Sequence, residues 1–434
     1  MGTNDRYDRI AMLDQVIARV SMESHHQAYQ TLMQKAYLLK TAPNCLCRAP
    51  EPIPMYIARM GDTYIVKRCP KTGHLHHPEC ESHGGISTAA QAIYSDDALT
   101  ERADGKVTHN LAVPLSTIEQ VTGITLDEAA APPLPDVQRA KRSTMTLRGF
   151  LNLLWEEAGL HTWSPGMAGK RNLGRVYWGL RNQLADRLIG GEDAMARVFI
   201  PEAKIGEEHD KRTLASLNER FDQLHKTYGD TRKGILIVVA ELRQFQHTSR
   251  NTALRLKGFP SNTPIWTPKQ SVARLQSQFA HGLDHFEKAP ARDNSDWTKQ
   301  DTPRIFIIAG IQRSKSGSLL WCYGAAMETT AQFIPVDSGY EFRIANLLSE
   351  QQRRFEKPLR YDGAAATFPD FVLTDCHPSI PMEVYGMNSA DYNQRKAEKT
   401  LHYRDSGTPY WAWDVLSEPE PPVFPKSGQH PLTN

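Results

Sequence analysis

Apolar residues recur along this chain with two different periods, and the switching between them predicts its elements. Near the start, Ile10, Leu13, Val16, Ile17 and Val20 repeat at helical spacing, and a second apolar set runs from Ala28 to Leu39. Residues 8–40 therefore read as two short helices. TYIVKR at 63–68 has the pattern of a strand. Further on, Leu147, Leu151, Leu154, Trp155 and Ala158 line one helix face, and Val176, Leu180, Leu184 and Leu188 line another. GILIVVAEL (234–242) and RIFIIAGI (304–311) are continuous apolar runs rich in β-branched residues, as buried strands are. Between them, Val272, Leu275, Phe279, Leu283 and Phe286 mark an amphipathic helix following Pro268.

Residues 338–415 form a series of their own. Ser338 is placed to cap a helix through SGYEFRIANLL, with Glu341 completing a capping box. FPDFVLTD (368–375) and PMEVYGM (381–387) read as strands, DYNQRKAEKTLHYRDSG as a helix ending at Gly407, and YWAWDV (410–415) as a further strand. The tail from 417 is rich in Pro and poor in apolar residues, which predicts a disordered or loosely draped segment. LDEAAAPPLPDVQRAKRS has the composition of a linker. The expected divisions are N-terminal helices at 1–40, a cysteine/histidine module at 41–125 and a linker at 126–143. A basic helical region at 144–230 and an α/β or β-rich segment of open fold at 231–334 follow. A further domain at 335–416 and the tail at 417–434 close the chain.

Length and composition change the picture little. The 434 residues suffice for two to four domains, and 40% hydrophobic with 23% charged residues is ordinary for a soluble globular protein. No stretch approaches the ~20 apolar residues of a membrane helix. MGTNDRYDRIAMLDQ carries charges where a secretory signal needs an apolar run, so a cytoplasmic location is expected. A net charge of +2 gives no global pull toward nucleic acid, and any such contact has to come from local patches. One candidate lies between Arg139 and Arg187, where nine Lys/Arg face three Asp/Glu and Trp155, Trp163, Tyr177 and Trp178 are interleaved. The same pattern also suits a core with a solvated face. There is no internal repeat, Gly-rich phosphate loop or nucleophile elbow, which argues against an ATPase or an α/β hydrolase and leaves no nucleotide-cofactor site.

Cysteines sit at 45, 47, 69, 80, 322 and 376, four of them within 36 positions. Clustered cysteines in a large chain of this kind point to metal more than to disulfides. Cys45-Leu-Cys47 is followed by Cys69 and then by His74, His76, His77 and Cys80. Zinc takes four cysteines, or three cysteines and one histidine, in a tetrahedron. The expected ligands are Cys45, Cys47, His77 and Cys80, with Cys69 substituting should His77 point away. The spacing resembles short C-x-C…C-x-H zinc modules. Such a closed site holds a module together and does no catalysis. Buried thiols beside surface histidines are the alternative reading.

At the other end, Asp370 opens one predicted strand and Glu383 lies in the next, thirteen residues later. If the strands are hairpin neighbours, both carboxylates project from one edge. With a third acid from Glu341 they suit Mg²⁺ or Mn²⁺, hard cations that take oxygen ligands and keep several waters. Such an ion polarises a phosphoryl oxygen and generates hydroxide near neutral pH, so the expected chemistry is phosphodiester hydrolysis. PDF, then E-V-Y-G on a strand, then a helix carrying Tyr and Lys resembles the PD-(D/E)xK nuclease superfamily, which includes restriction endonucleases. That resemblance implies a small mixed sheet flanked by helices, with Asp370 and Glu383 as paired metal ligands and Glu341 as the acid on the first helix. Tyr385 stands where the superfamily places its lysine. Lys399 or Lys396 from the following helix then takes that place, to orient or deprotonate the attacking water. Lys399 is favoured, because E-x-x-G…Y…R…K…Y resembles members with a migrated lysine. Tyr392, Lys396, Lys399 and Tyr403 share one helix face.

Over nearly its full length the chain resembles a bacterial family, domain-of-unknown-function family 1173, through CLC at 45–47, RCPKTGHLHHPEC, LWEEAGLHTW and RRFEKPLRYDG. That family is assigned no activity, and the resemblance implies a mobile-element or defence setting. The expected fold class is multidomain α+β: a small zinc-bound β/α N-terminal module, a helical middle, and a C-terminal restriction-endonuclease-like α/β domain. The expected partner is DNA, with partner proteins beside it and no membrane. A DNA-binding or adaptor protein with a degenerate nuclease fold is the rival reading.

Overall fold

The computed structural model describes residues 7, 9–18, 26–60, 63–69, 72, 75–77, 80, 82, 99–101, 107–118, 144–279, 303–359 and 369–428. The expected linker at 126–143 lies outside them, as do His74, Leu283 and Phe286. The described residues form a mixture of helices and several sheets around three hydrophobic cores.

Residues 9–18 correct an expectation. They form a hairpin, not a helix: β1 (Arg9–Met12) pairs antiparallel with β2 (Gln15–Ala18) through Leu13 and Asp14. The cause is tertiary. Ile10 pairs with Cys45 and Ala11 with Asn44 on β3 (Asn44–Cys45), so backbone groups that a helix would satisfy internally are satisfied by a neighbouring strand. Ile10 and Met12 then share the buried face at the strand period of two. The second expected helix is present as α1 (His26–Leu38). β4 (Ile53–Met60) and β5 (Thr63–Arg68) complete the sheet in the order β2-β1-β3-β4-β5.

On β5, Lys67 is almost fully buried, donating to the Asn182 carbonyl at 3.0 Å and lying 5.7 Å from the Tyr56 ring centroid. Burial, helped by Arg187, lowers its pKa to about 7 from an ordinary 10.5. Between those two values the unfolded chain binds the extra proton, so this lysine makes stability rise with pH from about 7 to 10.5. Lys67→Met should flatten the rise in urea-unfolding series at pH 7, 8.5 and 10. An unchanged slope would show that the ammonium is not desolvated.

The middle of the chain opens with α2 (Leu147–Glu157), β6 (Thr162–Trp163), α3 (Leu173–Asn182) and α4 (Glu207–Tyr228). Several of the basic and aromatic residues interleaved here serve the interior. Trp155, Trp163 and Tyr177 are buried, and of the four aromatics only Trp178 is exposed. Arg171 donates to the carbonyls of Gly159, Leu160, Thr162 and Gln332, and Arg187 pairs with Glu157. Lys170 and Arg175 remain exposed beside Trp178, and Arg139, Lys141 and Arg142 lie outside the described residues.

The segment left open by the sequence is a closed barrel. Its strands are β7 (Leu236–His247), β8 (Asn251–Leu256), β9 (Ile265–Pro268), β10 (Arg304–Arg313) and β11 (Leu319–Thr329), with α5 (Lys269–Gln276) between β9 and β10. The hydrogen-bonded order is β7-β8-β9-β11-β10, and β10 pairs back onto β7. Only β9 and β11 run parallel within this ring. β7 can serve two neighbours because it bends: Leu236–Glu241 face β10, a register shift follows Leu242, and Gln244–His247 face β8. The apolar runs at 236–242 and 304–311 fill the core, joined by Trp155, whose ring meets Phe306 edge-on at 4.7 Å.

The C-terminal sheet is built from β12 (Phe355–Glu356), β13 (Phe371–Leu373), β14 (Ile380–Tyr385) and β15 (Trp411–Asp414), flanked by α6 (Gly339–Glu350) and α7 (Ala390–Asp405). Its order is β15-β14-β13-β12-β6, with β14 and β15 parallel and the other pairs antiparallel. One edge strand, β6, therefore comes from residues 162–163, outside the expected 335–416. The tail is not loose over 417–428. Phe424 is buried against Trp411, and the Gly428 N–H donates to the Asp375 carbonyl. No helix among the described residues is long and apolar enough to cross a membrane.

Candidate functional site

Two constellations bring chemistry-bearing side chains together. The first lies where the N-terminal sheet meets the turn at 75–80. Cys45 ends β3, Cys47 follows two residues later, and His76 and Cys80 come from the turn; all four are buried. Their ligand atoms lie within 4.8 Å of one another. The edges are Cys45 Sγ to Cys80 Sγ 3.6 Å, Cys47 Sγ to His76 Nδ1 3.5 Å, and Cys80 Sγ to His76 Nδ1 3.7 Å. A tetrahedron with metal–sulfur bonds of ~2.3 Å and a metal–nitrogen bond of ~2.05 Å has edges of about 3.8 and 3.6 Å. The donor set thus has the size of a zinc cage, while a disulfide needs sulfurs ~2.05 Å apart. This Cys₃His group can hold a metal such as zinc.

The cage is supported from outside. The His77 N–H points at Cys47 Sγ (3.3 Å) and the Ser82 N–H at Cys80 Sγ (3.4 Å), backbone donors of the kind that stabilise bound thiolates. Contact with Cys47, then Cys80, holds the Cys45 thiol far below its ordinary pKa, and the contact with Cys45 pushes Cys47 up. One predicted ligand is corrected: the histidine is His76, not His77. Neighbouring residues of a tight turn point in different directions. His76 is fully buried, while the His77 ring stacks 3.9 Å from Tyr7. Cys69, the substitute expected, is not in the group.

The second constellation is the carboxylate end of the C-terminal sheet. β13 and β14 are hairpin neighbours with Phe371 opposite Met382, and continuing that register sets Asp370 opposite Glu383. The Asp370 N–H donates to the Met382 carbonyl at 2.9 Å, and Asp370 Oδ2 accepts from the Val384 N–H at 2.7 Å. Glu383 is buried. Its Oε1 accepts from Tyr403 at 2.8 Å and its Oε2 from Lys399 at 2.6 Å. Burial first, then the Asp370 charge, raise the Glu383 pKa, and Lys399 opposes them.

The whole helix face anticipated on α7 docks on these strands. Tyr392 donates to the Val384 carbonyl, and Lys396 pairs with Asp414 at 2.6 Å over the Tyr385 ring. Lys399 therefore reaches Glu383, and Lys396 does not. Tyr385, in the position of the absent lysine, is buried.

Glu341 approaches from α6. Ser338 caps that helix as expected, accepting from the Glu341 N–H at 3.1 Å. The return arm of the box is displaced by one residue, because Glu341 Oε2 takes the Asp337 N–H. Ser338→Ala should cost ~0.5–2 kcal/mol, and a smaller loss in chemical denaturation would show the cap to be redundant. Burial, then the Asp370 and Asp337 charges, push Glu341 up to about 7 against the pull of Lys357. Its ammonium lies 2.7 Å from Glu341 and 3.4 Å from Asp337. Lys357 was missed in the sequence. The signal was there: with Phe355 buried, the period of two sends Lys357 to the same covered face, where a lysine needs a carboxylate. Both glutamates feel the Asp370 charge. Among the described residues, though, the Cys₃His set is the group of three or more potential ligands drawn within 4.8 Å. The expected cradle of Glu341, Asp370 and Glu383 is not closed to that degree.

No curated protein and no solved structure matches the chain. The family described as Protein of unknown function (DUF1173) matches residues 16–416. With nearly its whole length covered, and with both constellations inside the matched span, the chain belongs to that family of unknown function.

Proposed function

We propose that this protein is a metal-dependent nuclease of the PD-(D/E)xK type that hydrolyses phosphodiester bonds in DNA, carried on a chain whose N-terminal module is held by structural zinc. The single observation that carries the reading is the pairing of Asp370 with Glu383 across a hairpin, with Lys399 delivered to Glu383 by the next helix. Mg²⁺ is held in such sites by one or two carboxylates plus waters and substrate phosphate, so the two acids fit it without Glu341. When bound, it supplies charge stabilisation at the phosphoryl group and an activated water. The chain's own groups do the rest. Asp370 is fixed by two backbone hydrogen bonds, Tyr403 orients Glu383, and Lys399 holds a donor beside Glu383 where a water proton is to be moved. The four-ligand Cys₃His cage leaves no open position, which suits a structural role. A setting in a mobile element or a defence system would fit such a nuclease.

The test is incubation of supercoiled plasmid, linear duplex and single strands with Mg²⁺ or Mn²⁺, beside an Asp370→Ala/Glu383→Ala variant. Cutting by the wild type alone supports the reading, and equal cutting by both removes it. One observation favours a second reading, a DNA-binding or adaptor protein with an inactive nuclease fold: Glu341 and Glu383 are each already neutralised by a lysine at 2.6–2.7 Å. A live site is stabilised by millimolar Mg²⁺ through linkage. A melting temperature unmoved by the ion, together with no cutting, would favour the inactive fold.

A further inference from the structure

We propose that the outer face of the five-stranded barrel is a binding surface for single-stranded DNA, separate from the carboxylate site. The connectivity, in chain order 1-2-3-5-4 and back to 1 with a helix between the third and fourth strands, is the Greek-key closure of the OB-fold. Fold alone assigns no function, so the argument rests on what this face carries.

Cross-strand partners share a face. Gln244 opposite Arg255, Gln246 opposite Ala253, Ala253 opposite Trp266, and Trp266 beside Leu320 therefore share one face over β7, β8, β9 and β11, with Ala253 itself buried between Gln246 and Trp266. Leu254 and Ile265 alternate to the buried side. Trp266 is half-buried at the centre of the outer face, and Arg255 lies one pair along, held by Gln246. A flat aromatic on a sheet beside a guanidinium is a platform on which bases stack without regard to sequence.

The charge is one-sided. From 242 to 279 the chain holds six Lys/Arg and no Asp/Glu, although its net charge overall is only +2. Arg243, Arg250, Lys269 and Arg274 are exposed. Two neighbouring carboxylates are already engaged, Glu241 by Lys257 at 2.7 Å and Arg304 at 3.2 Å, and Asp210 by the Ser261 N–H at 2.9 Å. A basic rim around a stacking platform complements a phosphate backbone whose bases are unpaired and splayed. A duplex keeps its bases stacked inside and offers Trp266 nothing.

The inference names the strandedness of the DNA in the proposed function but does not depend on cleavage. The experiment is fluorescence anisotropy of labelled dT20 with full-length protein in EDTA, from 50 to 200 mM NaCl. Stacking is worth ~1–3 kcal/mol per base, so Trp266→Ala should weaken binding by about 5- to 150-fold. Arg243→Ala/Arg250→Ala, at exposed positions, should keep the wild-type melting temperature and lower the log–log salt slope by about 1.4. Asp370→Ala/Glu383→Ala should bind dT20 as the wild type does, so loss of cutting with retained binding sinks the nuclease reading alone. The inference is overturned if the wild type does not bind dT20, if the arginine variant binds with an unchanged slope, or if a 20-base-pair duplex or rU20 binds as tightly as dT20.

Discussion

Cys80→Ser should unfold the N-terminal sheet and release about one zinc per chain. Among the described residues, twelve buried side chains form the core of this module, and three of them are the cysteines of the cage. A core that small stabilises little by burial, whereas structural zinc in small modules contributes ~10–16 kcal/mol near pH 7. A metal in the cage would also pin the topology. Cys45 ties β3, and through it the β1–β2 hairpin, to the turn bearing His76 and Cys80. Loss of one thiolate opens the cage, and the hairpin loses the strand it is paired on. The measurements are metal content by mass spectrometry and thermal melting with and without chelator. Wild-type protein should carry about one equivalent and lose an early melting transition's protection when chelated. His77→Ala and Cys69→Ser should keep the metal, since neither side chain is in the cage. Metal retained in Cys80→Ser, or lost in His77→Ala, would refute the ligand set.

On the nuclease reading proposed above, Lys399→Met should slow DNA cleavage by about 10²- to 10⁴-fold, the usual contribution of a positioned proton-transfer group, while Lys396→Met should leave the rate within a few-fold. The two lysines lie on one helix face and differ in what they meet. Lys399 contacts a fully buried carboxylate at 2.6 Å; Lys396 contacts Asp414, about a third exposed, in a pair of the sort worth ~0–1 kcal/mol. Removing Lys399 also strands Glu383 as a buried anion, which costs ~3–5 kcal/mol. Lys399→Met alone can therefore fail by unfolding. Lys399→Met/Glu383→Gln removes both charges and should recover much of the melting temperature while remaining inactive. Comparable losses of rate in Lys396→Met and Lys399→Met would mean that the nearer contact in the structure is not the functional one.

Much of the C-terminal site was legible because its signals are local. The order of helix, strand, strand, helix, strand over 338–415 follows from periodicity, and the spacing of Tyr392, Lys396, Lys399 and Tyr403 placed them on one face before any strand was known to lie beneath. Which lysine meets Glu383 was a matter of preference in the sequence. In the structure it follows from the parallel pairing of β14 with β15, which sets Asp414 under Lys396 and Glu383 under Lys399. Lys357 escaped notice because its partner Glu341 lies sixteen residues away on another element.

By itself the sequence determined the apolar strands within 234–242 and 304–311, the cap at Ser338, the cysteines of the cage and the two short strands that carry Asp370 and Glu383. All of these depend on side-chain type and short-range period. Tertiary structure alone decided the rest. Residues 9–18 became a hairpin because β3 offered them hydrogen-bond partners, and His76 displaced His77 because only one of two adjacent side chains can face the cage. Trp155, Trp163 and Tyr177 were drawn inward by cores that their local sequence does not announce. The barrel closed because β7 bends at Leu242 and pairs with both β8 and β10. Each of these turns on a contact between residues far apart in the chain, where local propensity is outweighed by the burial and hydrogen bonding that a distant partner provides.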